Sequence, residues 1–151
     1  MQHAPPDHTQ PPEMMLNVLR KVLTTISQGD IRYVVYERYA LLVGKISTSV
    51  SRAIYGRRLL ISPPYKIWGG IRFLIFGPGG ITIGKDFHAV SARRRSFLTL
   101  FSPCQMTIIG NARIILGDHV GLNGTTITAR GRISIGDNTM VGPNTIIVDH
   151  D

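Results

Sequence analysis

From Leu116 onwards the chain repeats every six residues, and an aliphatic side chain leads each repeat. Leu116-Gly117-Asp118-His119-Val120-Gly121 is followed by Leu122-Asn123-Gly124-Thr125-Thr126-Ile127. Ile135-Gly136-Asp137-Asn138-Thr139-Met140 and Val141-Gly142-Pro143-Asn144-Thr145-Ile146 come later, and Ile147 opens another unit. A six-residue period cannot serve an amphipathic helix and is too short for a hairpin. It suits a strand of a few residues ending in a tight corner, once per side of a prism. Three units then make one coil. The leading aliphatic is expected to point inward and stack on its equivalents in the coils above and below. Glycine is expected next because the backbone turns there, while Asp-Asn, Pro-Asn and Asn-Gly supply corner conformations. Short strands of an ordinary sheet would alternate with a period of two, and their glycines would not recur in phase. Residues Thr128 to Ser134 break the register once, which reads as a one-residue insertion at a corner. Ile83-Gly84-Lys85-Asp86 and Ile109-Gly110-Asn111-Ala112 read as partial copies.

The chain ahead of the repeats divides into three parts. Residues 1–12 are polar and proline-rich and read as a flexible leader. Residues 13–62 read as a helical segment. Met14, Met15, Val18, Leu19, Val22, Leu23 and Ile26 recur at helical spacing up to Gly29. A second stripe, Ile31, Val34, Val35, Leu42, Ile46, Val50 and Ile54, follows Asp30 as a candidate cap and ends near Gly56. The role expected of this basic pair is to cover the open end of the prism or pack on its side, the other candidate being contact with an anionic membrane. Residues 63–151 read as the β-domain, with Ile67, Ile71, Phe73, Ile75 and Ile81 as its first strand positions. Gly77-Pro78-Gly79-Gly80 lacks the Lys and Ser/Thr of a phosphate loop and reads as a corner.

At 43% hydrophobic and 17% charged, the 151 residues suit a globular chain. Seventeen Lys and Arg against nine Asp and Glu give a formal charge of +8, which favours phosphorylated ligands or anionic lipid. No nucleic-acid motif accompanies that charge, so no nucleic-acid partner is expected. Cys104 is the only cysteine, so no intrachain disulfide forms and the chain has no need of an oxidising compartment. With neither a secretory signal nor an apolar run of membrane-spanning length, a cytoplasmic location is expected, with the inner membrane surface as a place of peripheral contact.

Ile135-Gly136-Asp137-Asn138, Val141-Gly142-Pro143-Asn144 and Ile147-Val148-Asp149-His150, taken together, resemble the hexapeptide-repeat O-acetyltransferases that act on sugars, antibiotics and bacterial surface polysaccharides. The likeness spans residues 81–151 by repeat count. It implies a mainly β chain folded as a left-handed parallel β-helix preceded here by two α-helices. It also implies a homotrimer, and transfer of an acetyl or other acyl group from acyl-coenzyme A to a hydroxyl of a sugar or polysaccharide precursor. In that family a histidine following such repeats is the general base, and His150 occupies the matching place. Asn123 matches an active-site asparagine that binds the acceptor or orients the site, although Asn before Gly is also ordinary corner chemistry. Asp149 either orients the His150 imidazole or finishes a turn. Similar enzymes continue through further coils that form the coenzyme A groove, so the chain is expected to be a C-terminally truncated piece of a longer protein, the alternative being a shortened product that has lost that groove.

Two other readings fit the repeats. One is a catalytically inactive repeat scaffold that serves oligomerisation. The other is a zinc hydratase using His88, His119 and His150, for which the histidine spacing of neighbouring coils is missing, so no metal is expected. Arg93-Arg94-Arg95 could meet the phosphates of coenzyme A or an acidic acceptor, but reads as a solvated run on a loop that interrupts the repeats.

Overall fold

The computed structural model describes Asn17, Arg20 and residues 31–150. The chain forms two compact units, residues 1–36 and 37–151. In the first, the described residues Asn17, Arg20 and 31–36 are helical. The expected leader 1–12 and, apart from Asn17 and Arg20, the expected first helix over 13–28 lie outside the described residues. One α-helix, α1 (Ile31–Tyr55), therefore precedes the strands among the described residues, where two were expected.

Twelve short strands follow: β1 (Leu59–Ile61), β2 (Tyr65–Trp68), β3 (Arg72–Phe76), β4 (Gly80–Ile83), β5 (Phe87–Val90), β6 (Gln105–Ile109), β7 (Arg113–Leu116), β8 (Gly121–Asn123), β9 (Thr126–Ala129), β10 (Arg132–Ile135), β11 (Met140–Val141) and β12 (Ile146–Val148). Every third strand pairs in parallel. The first sheet is β1-β4-β7-β10, the second β2-β5-β8-β11 and the third β3-β6-β9-β12. Three strands thus make a coil, four coils stack, and the described residues form a mainly β parallel solenoid. The first strand begins at Leu59, ahead of the boundary expected after Ser62.

The core fills the prism by layers. Ile81, Ile114 and Ile133 stack in one row and Ile83, Leu116 and Ile135 in the next. Phe73, Met106, Ile127 and Ile147 line the third sheet. All these are buried except Ile135 and Ile147 in the last coil, which are partly covered. Burying one such side chain stabilises by about 1.5–3 kcal/mol, so a ladder of them outweighs the modest preference of any single residue for strand. The five strand positions expected from Ile67 to Ile81 are all buried, and all but Ile71, which precedes β3, lie in strands.

Two details of the repeat differ from expectation. Ile127, not Thr128, is the residue in register with Ile147. One residue is therefore missing from the corner after Leu122, which Gly124 turns tightly at φ +52°, and two are added between Ile127 and Ile135. The apparent single insertion is the net of these changes. Ile109 ends β6 facing outward and leads no repeat, whereas Ile83-Gly84-Lys85-Asp86 does stack on Leu116 and its successors.

The glycine at the second repeat position has a different cause from the one expected. Positive φ falls two residues later, at Asp86, His119 and Asn138, with values of 52°, 57° and 57°. At Gly117 an added Cβ would lie 2.1 Å from Asp137 Oδ1 and 2.8 Å from its backbone nitrogen. Close approach of the following coil, rather than the turn itself, excludes a side chain.

Helix α1 turns its small residues to the prism. Ala40, Gly44 and Thr48 are buried, and Gly69 N–H donates to Ala40 O at 2.8 Å. A Cβ at Gly44 would fall 1.9 Å from Ile67 O, so helix and first-coil backbone are in direct contact. The large apolar stripe is turned away from the prism, with Leu42, Ile46, Val50 and Ile54 all more than half exposed. Bulky side chains on the inner face would hold the backbone of the helix too far away for these contacts.

Candidate functional site

The edge where the third sheet passes to the first carries Asp149 and His150. In the coil before it, Arg130 and Gly131 turn the corner between β9 and β10, leaving two backbone N–H groups directed at the next coil. Asp149 receives both: Arg130 N–H donates to Oδ1 at 2.7 Å and Gly131 N–H to Oδ2 at 2.8 Å. The Arg130 N–H, with help from that of Gly131 and from His150, holds the carboxyl below its ordinary range, against an opposing effect of burial. His150 Nδ1 lies 3.2 Å from Asp149 Oδ1. Asp149 thus finishes the turn and contacts the imidazole together, a carboxylate–histidine pair in which backbone donors anchor the carboxylate.

Asn123 lies on another edge. It ends β8, in register with Val90, where the second sheet passes to the third. Its Nδ2 donates to Ser96 Oγ at 3.2 Å, and its buried Oδ1 has no hydrogen-bond partner among the described residues. Ser96 belongs to the long excursion between β5 and β6 that contains Arg93–Arg95, as expected of that run. This loop folds back along the edge over two further coils. Leu100 is buried, while Phe97, Leu98 and Phe101 face solvent. Arg95 pairs with Glu37 at 3.5 Å and stacks over Trp68 at 4.9 Å. Cys104, at the end of the excursion, is fully buried, and desolvation pushes its thiol pKa upward.

His88, His119 and His150 are distributed around the prism. His88 lies outward on the second sheet, its ring 5.9 Å from that of Trp68 and at 70° to it. His119 is at the corner between β7 and β8, 3.6 Å from Asp86, and His150 is on the third edge. Among the described residues no three of His, Cys, Asp and Glu gather in one place. No described helix is long and apolar enough to cross a membrane.

A groove missed by the sequence reading lies outside the first sheet, about 380 Å³ in volume and lined by Arg57, Arg58, Asn111 and Arg113 among others. Arg132 continues this row, in register with Arg113. The Arg57-Arg58 pair was visible in sequence, but its neighbour 55 residues later becomes apparent only from strand register. Comparison of the chain with protein-family models, curated proteins and solved structures gives no match.

Proposed function

We propose that the coil is left-handed and that the protein is an acyltransferase, moving an acetyl or other acyl group from acyl-coenzyme A to a hydroxyl of a sugar or surface-polysaccharide precursor. The observation that carries this reading is the Asp149–His150 pair at the end of an in-phase repeat. With Nδ1–H donating to Asp149, Nε2 is the basic nitrogen. It takes the proton of the acceptor hydroxyl as that oxygen attacks the thioester carbonyl. When the tetrahedral intermediate collapses, the C–S bond breaks and the proton passes to the departing thiol, so ester and free coenzyme A result and the imidazole is restored.

Asn123 and His150 occupy different edges of one prism, so a single chain does not offer both to one substrate. A homotrimer would solve this by setting the Asn123 edge of one copy beside the His150 edge of the next. The exposed Phe97, Leu98 and Phe101 of the loop beside Asn123 suit such a contact. The acyl donor and precursor place the reaction on the cytoplasmic side. Acetyl-coenzyme A binding by calorimetry, followed by transfer to a panel of sugar acceptors, tests the reading. His150→Ala should lower kcat at least about a hundredfold while leaving the solenoid folded. Turnover that survives the substitution removes His150 as the base, and absence of donor binding both by this chain and by a form extended through the following coils turns the reading to an inactive scaffold.

A further inference from the structure

The outward face of α1 is apolar and exposed, and what covers it is a question independent of the acyltransferase proposal. Tyr39, Leu42, Ile46, Val50 and Ile54 recur at steps of three and four residues and are between 53% and 66% exposed. At 3.6 residues per turn they form one stripe opposite the buried Ala40, Gly44 and Thr48. A helix already docked by its small residues therefore carries a second, larger apolar face. Leaving such a face in water forfeits a favourable burial that an apolar phase would supply.

Charge identifies the occupant. Arg38, Lys45 and Arg52 recur every seven residues, a spacing that drifts by only about 20° per step, so they run as a line of exposed cations along one flank of the stripe. The only acidic residue of α1 is Glu37, which turns to Arg95 of the loop. Near the C-terminal end of α1 lies a groove of about 490 Å³ lined by Ser49, Arg52, Ala53, Arg57 and Leu60, two cations beside apolar surface. An apolar face bordered by basic side chains, without acids and on a helix that does not span, is the pattern of a helix lying in an anionic bilayer surface. We propose that α1 holds this protein against anionic phospholipid. Tyr39, Leu42, Ile46, Val50 and Ile54 enter the acyl boundary, and Arg38, Lys45, Arg52 and Arg57 meet the headgroup phosphates.

Co-sedimentation of the full chain with vesicles tests this directly. Vesicles of phosphatidylcholine with phosphatidylglycerol should bind it at least about tenfold more strongly than phosphatidylcholine alone, and added salt should weaken the binding. Leu42→Asp with Ile46→Asp should reduce binding by more than about tenfold at an unchanged thermal midpoint, since both positions face outward. Lys45→Glu with Arg52→Glu should reduce it on the anionic vesicles. Failure to bind anionic vesicles, or binding indifferent to both double variants, overturns the proposal. So does absence of lipid binding combined with self-association that Leu42→Asp and Ile46→Asp abolish, which would make a second copy the occupant.

Discussion

The side-chain amide of Asn144 clips Phe101 from 43 residues away. Its Oδ1 accepts the Phe101 backbone N–H at 2.9 Å, and its Nδ2 donates to Thr99 O at 2.7 Å. Asn144 is also the corner residue between β11 and β12, at φ +58°. One residue thus turns the fourth coil and secures the loop that leaves the second. Asparagine suits both tasks, because it tolerates the left-handed conformation and carries an acceptor and a donor on one short side chain.

Asn144→Gly separates the two tasks, since glycine keeps the corner and removes the clip. Two hydrogen bonds of about 0.5–1.5 kcal/mol each hold the loop closed, and their loss favours local opening by about tenfold or more. Limited trypsin digestion should therefore cut the Arg93–Arg95 segment about tenfold faster. The thermal midpoint of the prism should move little. An unchanged cleavage rate would show that buried Leu100 alone holds the loop.

Gly117 and Gly136 occupy the same repeat position and should respond oppositely to alanine. At Gly117 a new Cβ meets the Asp137 carboxylate and backbone, whereas at Gly136 nothing lies within 4 Å. Gly117→Ala should cost about 1–3 kcal/mol by overpacking against the next coil. Gly136→Ala should be neutral within about 0.5 kcal/mol. Denaturant unfolding of the two variants checks this, and equal midpoints would mean that the coils can separate at no cost.

Asp149 should make stability sensitive to acid. Its carboxyl is lowered in the folded state, chiefly by the Arg130 N–H, so its stabilising contribution is complete above the unfolded value of about 3.9 and is lost as pH falls through the folded one. Asp149→Asn removes the charge. Its thermal midpoint should lie below that of the parent at neutral pH, and the gap should close as the pH falls below about 3.9. A gap that persists in acid would assign the effect to lost geometry rather than charge.

The strands were legible because the prism demands an inward aliphatic at a fixed phase, and a phase survives in sequence. Ile83, Leu116 and Ile135 could be aligned by eye, and they do stack. The divided register change around Leu122 to Ile135 was not legible, because a residue lost at one corner and two gained at another leave only their difference. The carboxylate–histidine contact at the end of the repeats follows from adjacency. The distance between the edges of Asn123 and His150 does not, since motif position along a chain says nothing about which side of a prism it falls on. Which face of helix α1 meets the prism was not legible, because hydrophobic periodicity locates an apolar stripe without saying what the stripe meets. The small residues Ala40, Gly44 and Thr48 carried the opposite signal, that of backbone approaching backbone.

Gly44 gives that signal its sharpest test. In an isolated helix, alanine at this position would be the better residue by about 1 kcal/mol. Here its Cβ would fall 1.9 Å from Ile67 O, so α1 must shift away from the first coil. The shift loosens the bond from Gly69 N–H to Ala40 O and uncovers Thr48, whose hydroxyl donates to Gly44 O at 2.8 Å. Overpacking costs of about 1–3 kcal/mol then exceed the propensity gain, and Gly44→Ala should lower the thermal midpoint by a few degrees. Ser49→Ala on the exposed side, where propensity alone acts, should leave the midpoint unchanged or raise it slightly. A rise in both variants would mean that the helix stands off the prism, and the outward stripe would no longer be fixed as the face presented to a membrane.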